Sequence, residues 1–302
     1  DNKKPIKTFT IGFLENKFDE SETAQEISNI LGTNHKTFYC TEDDFKKFIP
    51  QLPIIYDEPF GDSSAIPTSL VCQLASNDIK VVLSGDGGDE IFGGYSKYHF
   101  TRFSYIILNT PLLLRKFFYK FSFLISGNFI EKIASFFNIS SYGQIAYKYF
   151  KFQNTLLSTS LDDFFERASS YVSYKQLSLL TNSKPPIYIK KKKNYKNRLL
   201  TYLGLKDLLT YLPGDILTKT DRASMSVGLE SREPFLDQDI IEYSIRLHDK
   251  YKFNDRYNGK YILKKILRNY LPEHIIKKPK QGFSVPIKKW MKNSLIDNLN
   301  EM

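Results

Sequence analysis

Residues 79–95 read IKVVLSGDGGDEIFGGY, and this stretch decides the fold. Residues 79–84 are apolar and rich in β-branched side chains, which predicts a buried strand. Five glycines follow within residues 84–95, and glycine lets the backbone approach a ligand and adopt positive φ. Ligands of open α/β folds bind at the carboxyl ends of parallel strands. This glycine segment, residues 84–95, is therefore the first candidate for a ligand site.

Three carboxylates stand among these glycines: Asp86, Asp89 and Glu90. They would repel one another unless a cation or a proton lies between them. An acidic loop of this kind at a sheet edge suits Mg²⁺ and nucleotide phosphates. The alternative is a glycine-rich turn with solvated carboxylates. The segment matches neither the Walker A pattern GxxxxGK[ST] nor an EF-hand loop.

The sequence around this segment predicts two kinds of structure. Upstream, strand patterns alternate with single helices, which predicts a parallel, doubly wound α/β sheet. The predicted strands are 7–13, 35–39 and 79–84. Two predicted helices begin at the capping pairs Asp19 with Glu22 and Thr41 with Asp44, and a third predicted helix covers 68–75. From about residue 98 the apolar spacing becomes helical. We therefore expect a nucleotide-binding α/β part over 1–97 and a helical part over 98–302, with 212–237 and 277–286 contributing to the site.

A second candidate, the acidic segment YDEPFGDSS at residues 56–64, combines carboxylates with hydroxyls that could bind a polar substrate. Asp62 before two serines could equally be a helix cap, with Pro59 and Phe60 in a turn. Residues 212–237 alternate charges with small apolar side chains, which favours an ion-pair network. Lysines of 277–284 could meet a phosphate or could simply be solvated.

Composition excludes several classes of protein. With 43 Lys and Arg against 33 Asp and Glu, the formal charge is +10, which permits anionic partners without choosing among them. Two cysteines exclude a disulfide scaffold, and four scattered histidines exclude a zinc motif. The apolar stretch 103–114 is too short to span a membrane, and the run 190–193 is most simply a solvated linker. We expect a cytoplasmic protein that binds neither membrane nor nucleic acid.

Four segments, taken in order, resemble the synthetase half of glutamine-dependent asparagine synthetases, in the ATP-pyrophosphatase superfamily. SGDGGDEIFGGY resembles that family's SGEGxDExFGGY, and YDEPFGDSSAIPT its DEPFxDPSAIPT. LPGDILTKTDRASMSVGLESREPFLD is similar to LPDDxLxKxDRxSMxxSLExRxPFLD, and KPKQGFSVP to KxGFxxP. The resemblance implies a Rossmann-like sheet of the adenine nucleotide α-hydrolase type, and ATP and Mg²⁺ as cofactors.

The resemblance also implies roles for individual residues. Asp86 would assist formation of an acyl-adenylate, and Lys280 would neutralise pyrophosphate. The remaining implied contacts are ATP at Ile11, Ser84 and Gly85, Mg²⁺ at Asp89, and the substrate at Glu58 and Asp62.

The chain departs from the family pattern in three ways. The first ATP motif of the family, SGGxDS, is absent, as is the N-terminal glutaminase domain, so we expect the first strand to be missing and the chain alone to be inactive. No Arg precedes Arg102, although some members place one in the segment matching 63–68 to hold aspartate.

The resemblance implies ATP-dependent amidation of a carboxylate through an acyl-adenylate, with aspartate as acceptor and ammonia from a glutaminase domain. Two alternatives stay open: an amidotransferase that modifies a sugar carboxylate in surface-polysaccharide synthesis, and a non-catalytic fragment. The first is favoured slightly by the missing Arg. Whether the protein forms a homodimer is also left open.

Overall fold

The computed structural model describes residues 4–16, 18–125, 129–130, 145–170, 172–182, 198–254, 259–278, 285–287 and 289–290. The chain divides into two compact units: residues 1–94 with 200–302, and residues 95–199. This division places the segment 212–237 in the same unit as residues 84–94 of the glycine segment.

Parallel strands β1 (Lys7–Phe13) and β2 (Asn34–Cys40) form the first sheet, with Lys7 opposite Asn34 and Phe13 opposite Cys40. Helix α1 (Ser21–Leu31) connects them and ends at Gly32, whose φ of 67° is the left-handed conformation that glycine tolerates best. The predicted capping box of α1 is wrong. Asp19 instead accepts hydrogen bonds from the backbone and hydroxyl of Ser21.

The second sheet pairs β3 (Val81–Leu83) with β4 (Glu230–Arg232), also in parallel. We predicted a buried strand over 79–84, and this is wrong in both length and burial. Val81 is 45% exposed and Leu83 is 68% exposed. Successive side chains of a strand alternate between its faces, so Val81 and Leu83 share the exposed face of β3, whereas Val82 on the other face packs against a core cluster.

Helices make up most of the remaining structure, a mixed α/β arrangement with parallel strands. The first unit begins with α2 (Glu42–Phe48), α3 (Leu52–Tyr56), α4 (Ala65–Ser76) and α5 (Gly88–Phe92). The second unit contains α6 (Ser96–Thr101), α7 (Ser104–Asn109), α8 (Leu112–Ser122), α9 (Ile145–Thr155), α10 (Leu161–Ser169) and α11 (Tyr174–Thr181).

The chain returns to the first unit in α12 (Leu199–Leu209), which is followed by a π-helical segment (Leu212–Leu217). The last helices are α13 (Thr218–Met225), α14 (Gln238–Arg246), α15 (Tyr261–Leu267) and α16 (Glu273–Ile276). No helix in the described part of the chain is long and apolar enough to cross a bilayer.

Prolines explain two differences from the helices that the apolar spacing predicts. This spacing predicts that the helix capped at Thr41 ends at Pro53, but Pro53 lies in the first turn of α3, where its missing N–H would have had no partner. The spacing also predicts one helix over 101–126, but Pro111 separates α7 from α8. The capping box of α2 is confirmed, since Thr41 accepts from the Asp44 amide and Asp44 from the Thr41 amide.

Helix α4 holds the first unit together. On one side it contributes Ile66 to a cluster with Ile11 and Phe13 of β1. On the other side its Cys72 and Ala75 pack with Ala223 and Leu229, and with the partly buried Phe9 of β1 and Val82 of β3. Both sheets and α13 thus pack against the helix that follows the acidic segment.

Candidate functional site

The glycine segment begins where β3 ends, as predicted. The Ser84 amide donates to the Arg232 carbonyl at 3.0 Å and so continues the pairing with β4. The Ser84 hydroxyl donates to Asp86 Oδ2 at 2.8 Å, and the Asp86 amide donates back to that hydroxyl at 3.1 Å. These local bonds fix the Asp86 carboxylate at the carboxyl end of the strand.

Glycine is required at some positions of this segment and not at others. Gly87 has φ 84°, and a Cβ there would lie 2.2 Å from Leu236 Cδ2. A Cβ on Gly85 would meet no atom within 4 Å. Packing therefore explains Gly87, whereas the open space beside Gly85 is available to a ligand.

Asp89, the predicted metal ligand, lies on α5 with its Oδ1 3.0 Å from the ammonium of Lys260. Gly94 leaves room for this carboxylate, because a Cβ at that position would lie 1.8 Å from Asp89 Oδ1. Glu90, the third carboxylate of the segment, is 2% exposed. Of the three carboxylates, Asp89 is therefore paired with a lysine and Glu90 is buried.

The acidic segment folds back on itself beside α4. Asp62 Oδ1 accepts from the Ser64 amide at 2.9 Å, and Asp62 Oδ2 accepts from the Ser64 hydroxyl at 2.7 Å. The alternative to a substrate site was a helix cap by Asp62; the N-cap of α4 is instead Ser64, with no side-chain cap, and Asp62 binds Ser64 in a local turn. The rings of Tyr56 and Phe60 stack with centroids 4.7 Å apart, which closes the turn.

Helix α13 connects the two segments through neighbouring residues. Lys219, 7% exposed, places its ammonium 2.5 Å from Asp62 Oδ2 and 2.8 Å from the Ser64 hydroxyl. The next residue, Thr220, donates its hydroxyl to Asp86 Oδ2 at 3.1 Å. Two consecutive residues of α13 therefore contact Asp62 and Asp86, the principal carboxylates of the two candidate segments.

A second aspartate shares the surroundings of Lys219. Burial would raise the pKa of Asp62, but the charge of Lys219 and the hydrogen bonds from Lys219 and Ser64 outweigh it and hold that pKa below its usual value. Burial and the neighbouring Asp62 charge raise the pKa of Asp215, in the π-helical segment. Asp215 Oδ1 is buried and has no hydrogen-bond partner in the described part of the chain.

The ion pairs predicted for 212–237 are present, and Arg222 adds a pair with Asp57. Lys219 and Arg222 pair with Asp62 and Asp57, so these ion pairs link the segment 212–237 to residues of the expected α/β part, 1–97. The alternation of charges with small apolar residues in this segment predicts that the apolar ones are buried. Ala223 and Leu229 are buried, but Met225 is 59% exposed.

The other predicted site residues are dispersed or lie outside the described residues. Ile11 is 5% exposed in the core of the first sheet, so only its backbone could reach a nucleotide. Glu58 is exposed at the tip of the acidic segment. Lys280 lies outside the described residues; nearby, Lys278 donates to the Thr23 hydroxyl and Lys277 pairs with Glu273 at 3.3 Å.

The cysteines take no part in the site. Both are free and buried. Burial raises the pKa of the Cys40 thiol to about 12 and that of Cys72 to about 11. A thiolate is the nucleophilic form of cysteine, so neither residue is suited to covalent catalysis at neutral pH.

Sequence reasoning did not single out Lys260 or Thr220. Lys260 is far from Asp89 in sequence, and no motif marks it. Its position follows from the fold: its amide donates to the Phe92 carbonyl, and its φ of 51° is left-handed. Thr220 lies inside a quoted motif, but only the three-dimensional contact with Asp86 gives it a role.

The described residues do not form a Mg²⁺ site by themselves. No group of three His, Cys, Asp or Glu side chains suitable for a metal occurs among them. The predicted ligand, Asp89, forms an ion pair with Lys260. Mg²⁺ usually binds through one or two carboxylates together with substrate phosphates, and this donor set supplies too little on its own.

Comparison with known proteins agrees with the motifs. The asparagine synthase family matches residues 1–302. The chain is 29% identical over 304 residues to asparagine synthetase [glutamine-hydrolyzing] 1 of Bacillus subtilis, covering 96% of this chain and 44% of that protein. It is 30% identical over 300 residues to a putative asparagine synthetase of Mycobacterium tuberculosis, with 94% and 42% covered.

A shorter match, to putative asparagine synthetase 2 of Methanocaldococcus jannaschii, is 48% identical over 90 residues and covers 30% of this chain. The chain spans about 44% of the length of the Bacillus relative. The family match nevertheless covers all 302 residues and agrees with four ordered motifs. The chain belongs to the asparagine synthase family.

Proposed function

We propose that this chain belongs to the part of an asparagine synthetase that carries out the ATP-dependent step. Because the chain lacks the family motif SGGxDS, the 302 residues alone should be inactive. A carboxylate, aspartate in our proposal, is activated by ATP as an acyl-adenylate and then amidated by ammonia derived from glutamine. The observation that carries the proposal is the contact of Lys219 with Asp62 and of Thr220 with Asp86. These contacts bring the predicted acceptor-binding and nucleotide-binding segments within one helical turn.

The fold that we propose is a doubly wound Rossmann-like sheet of the adenine nucleotide α-hydrolase type, to which both two-stranded sheets would belong. Two observations support it. Phe9 of β1 and Val82 of β3 pack in one cluster against α4. Lys7 at the start of β1 also pairs with Asp78, which shortly precedes β3, at 3.0 Å.

In the first chemical step, an oxygen of the substrate carboxylate attacks the α-phosphorus of ATP and pyrophosphate leaves. Gly85 would let the triphosphate approach the backbone at the end of β3. Lys280, a prediction from the family motif, would offset the charge that develops on the leaving group. Neither step is derived through Mg²⁺, because no group of three carboxylate, His or Cys side chains that could hold it occurs among the described residues.

In the second step, ammonia attacks the acyl carbonyl, AMP leaves with the C–O bonding electrons, and a proton leaves nitrogen. Asp86 is the carboxylate that we propose to orient the intermediate or accept that proton. Its Oδ2 already receives hydrogen bonds from Ser84 and Thr220, so its orientation is set before substrate binds. Preorganisation of this kind lowers the cost of reaching the transition state.

The test measures pyrophosphate release from ATP and amide formation. It compares a longer protein that contains this chain together with the motif SGGxDS against the 302-residue chain. Aspartate with ammonium chloride should support both products. A uronic acid is the second acceptor, because no Arg precedes Arg102 to hold the aspartate carboxylate. Absence of pyrophosphate release by the longer protein with every acceptor would contradict the proposal. Release with the uronic acid alone would indicate that the acceptor is a sugar carboxylate.

Thr220→Val tests the observation that carries the proposal. It removes the hydroxyl that fixes Asp86 and should lower kcat about tenfold while leaving the KM for ATP nearly unchanged, because orientation matters most in the transition state. Asp221→Asn changes the adjacent, exposed side chain and serves as the matched control. Equal activities of the two variants would show that the contact with Asp86 is not used.

A further inference from the structure

Helix α8 in the second unit has its apolar side facing away from the protein. Its buried residues are Arg115 and Ser122, and Tyr119 between them packs on a cluster with Ile107 and Phe164. The residues on the opposite side are apolar and exposed. They are Leu113 at 81%, Leu114 at 50%, Phe117 at 53%, Phe121 at 50% and, just past the helix end, Leu124 at 78%. We call these five residues the outer face of α8.

Polar groups hold the inner side of α8 in place. Arg115 donates to the carbonyls of Thr110 at 3.0 Å and Ser158 at 2.5 Å. The Ser122 carbonyl accepts from the Tyr149 hydroxyl at 2.7 Å and from the Gln153 amide at 3.0 Å. The orientation of the helix is therefore fixed by specific hydrogen bonds, and the outer face is a constant feature of its surface.

Surface helices of globular proteins place their apolar stripe toward the core. A helix that buries an arginine and exposes leucine and phenylalanine does the reverse. Large exposed apolar patches mark interaction sites, and helices with leucine and phenylalanine on one side and lysines beside them lie in the interface of lipid bilayers.

The charges around α8 point to the kind of partner. The sequence contains no Asp or Glu from Ile91 to Ile130, whereas it contains five Lys and Arg in that interval. At about 100° per residue, Lys116 and Lys120 lie along one flank of the outer face, and both are exposed. Lysines in that position can extend their ammonium groups to phosphate headgroups while the apolar side chains enter the lipid.

We propose that the outer face of α8 binds the surface of a bilayer that contains anionic phospholipids. A second copy of the chain fits this surface less well. A symmetric dimer through this face would bring Lys116 and Lys120 of both copies together, with no carboxylate of residues 91–130 to pair with them. No spanning helix is needed, because the helix lies in the plane of the interface. The proposal therefore departs from the expectation that the protein binds no membrane, which considered spanning segments only. This proposal is independent of the amidation reaction.

The experiment is flotation of the full chain with vesicles of phosphatidylcholine, with and without about 30% phosphatidylglycerol. The chain should float with the anionic vesicles, and binding should fall several-fold at high salt. Leu113→Ser with Phe117→Ser should weaken binding about tenfold or more. The pair Ile54→Ser with Leu209→Ser, at sites 79% and 74% exposed in the first unit, is the matched control and should bind normally.

Insertion can also be observed directly. The single tryptophan, Trp290, is 2% exposed, so the emission of a Phe117→Trp variant would change on vesicle addition mainly through the new side chain. A shift to shorter wavelength with anionic vesicles is expected. The proposal is overturned if the chain ignores both vesicles, if the Leu113 and Phe117 variant binds as well as the control, or if these substitutions only dissolve a dimer. Thermal unfolding should be unchanged in all variants, because each altered side chain is exposed.

Discussion

Two cations on α13 each pair with an aspartate of the acidic segment, in very different surroundings. The side chains of Lys219 and Asp62 are 9% and 25% exposed, whereas those of Arg222 and Asp57 are 45% and 70% exposed. The Lys219 ammonium also donates a hydrogen bond to the Ser64 hydroxyl and interacts electrostatically with the Asp215 carboxylate. Arg222 lies in an open surface depression that is also lined by Gln73 and Met225.

This difference in exposure means that the two ion pairs of α13 should contribute very differently to stability. A buried ion pair is costly to break, because the remaining charge loses its partner without regaining water. An exposed pair contributes little, since water and salt replace the partner. Lys219 is therefore the residue through which the acidic segment is held, and Arg222 is its internal control.

Lys219→Met should have the largest effect. It leaves Asp62 and Asp215 close together without a cation, and we expect a loss of about 3 kcal/mol in the free energy of unfolding at neutral pH. Urea unfolding of the full chain measures it. Without the lysine both carboxylates accept protons more readily, so the loss should shrink as the pH falls toward the usual carboxyl range.

The double variant Lys219→Met with Asp62→Asn separates the charge effect from the packing effect. It should recover part of the stability, because the unpaired carboxylate is gone. If the single and double variants are equally unstable, the methylenes of Lys219 matter more than its ion pair.

Gly87→Ala should cause the second-largest loss in the free energy of unfolding. It applies the comparison of buried with exposed positions to the glycine segment. A Cβ would adopt φ 84° and lie 2.2 Å from Leu236, so we expect a loss of about 2 kcal/mol from backbone strain and displacement of that side chain. Thermal unfolding of the chain provides the measurement.

Gly85→Ala is its control, because nothing lies within 4 Å of a Cβ there. It should unfold like the parent and yet weaken ATP binding measured by calorimetry, since the open space is proposed to receive phosphates. Equal destabilisation by both alanines would mean that the segment is packed differently.

Much of this arrangement could be predicted from the sequence, and the rest could not for identifiable reasons. The strand at Lys7–Phe13 and the cap at Thr41 are local, so composition and spacing sufficed. The burial of Val81 and Leu83 was mispredicted because burial depends on what covers a strand, which the strand's own residues do not encode. The order of motifs identified the segments, but the Thr220 contact with Asp86 depends on how α13 packs.

The two aspartates beside Lys219 should make contributions to the free energy of unfolding that change with pH in opposite directions. The pKa of Asp62 is lowered on folding, so its contribution is present above the unfolded value near pH 4 and is lost as the pH falls through the lowered pKa. Asp62→Asn should therefore destabilise the chain at pH 7 and matter less near pH 3.

Asp215 has a raised pKa, so its contribution to stability is greatest below the unfolded value and is lost as the pH rises through the raised one. Asp215→Asn should stabilise the chain at pH 7 and change little near pH 3. Unfolding midpoints from pH 3 to 8 decide the matter, and parallel behaviour of the two variants would show that they do not compete for Lys219.

Arg222→Gln should have the smallest effect and completes the comparison within α13. Its pair with Asp57 is largely exposed, so removal of the cation should cost between zero and about 1 kcal/mol, and less still at high ionic strength, where the attraction is screened. Urea unfolding at low and at high sodium chloride concentration measures both quantities. A loss as large as that of Lys219→Met, or one that salt does not reduce, would mean that Asp57 is held as firmly as Asp62, and that the acidic segment is anchored along its whole length instead of at one buried lysine.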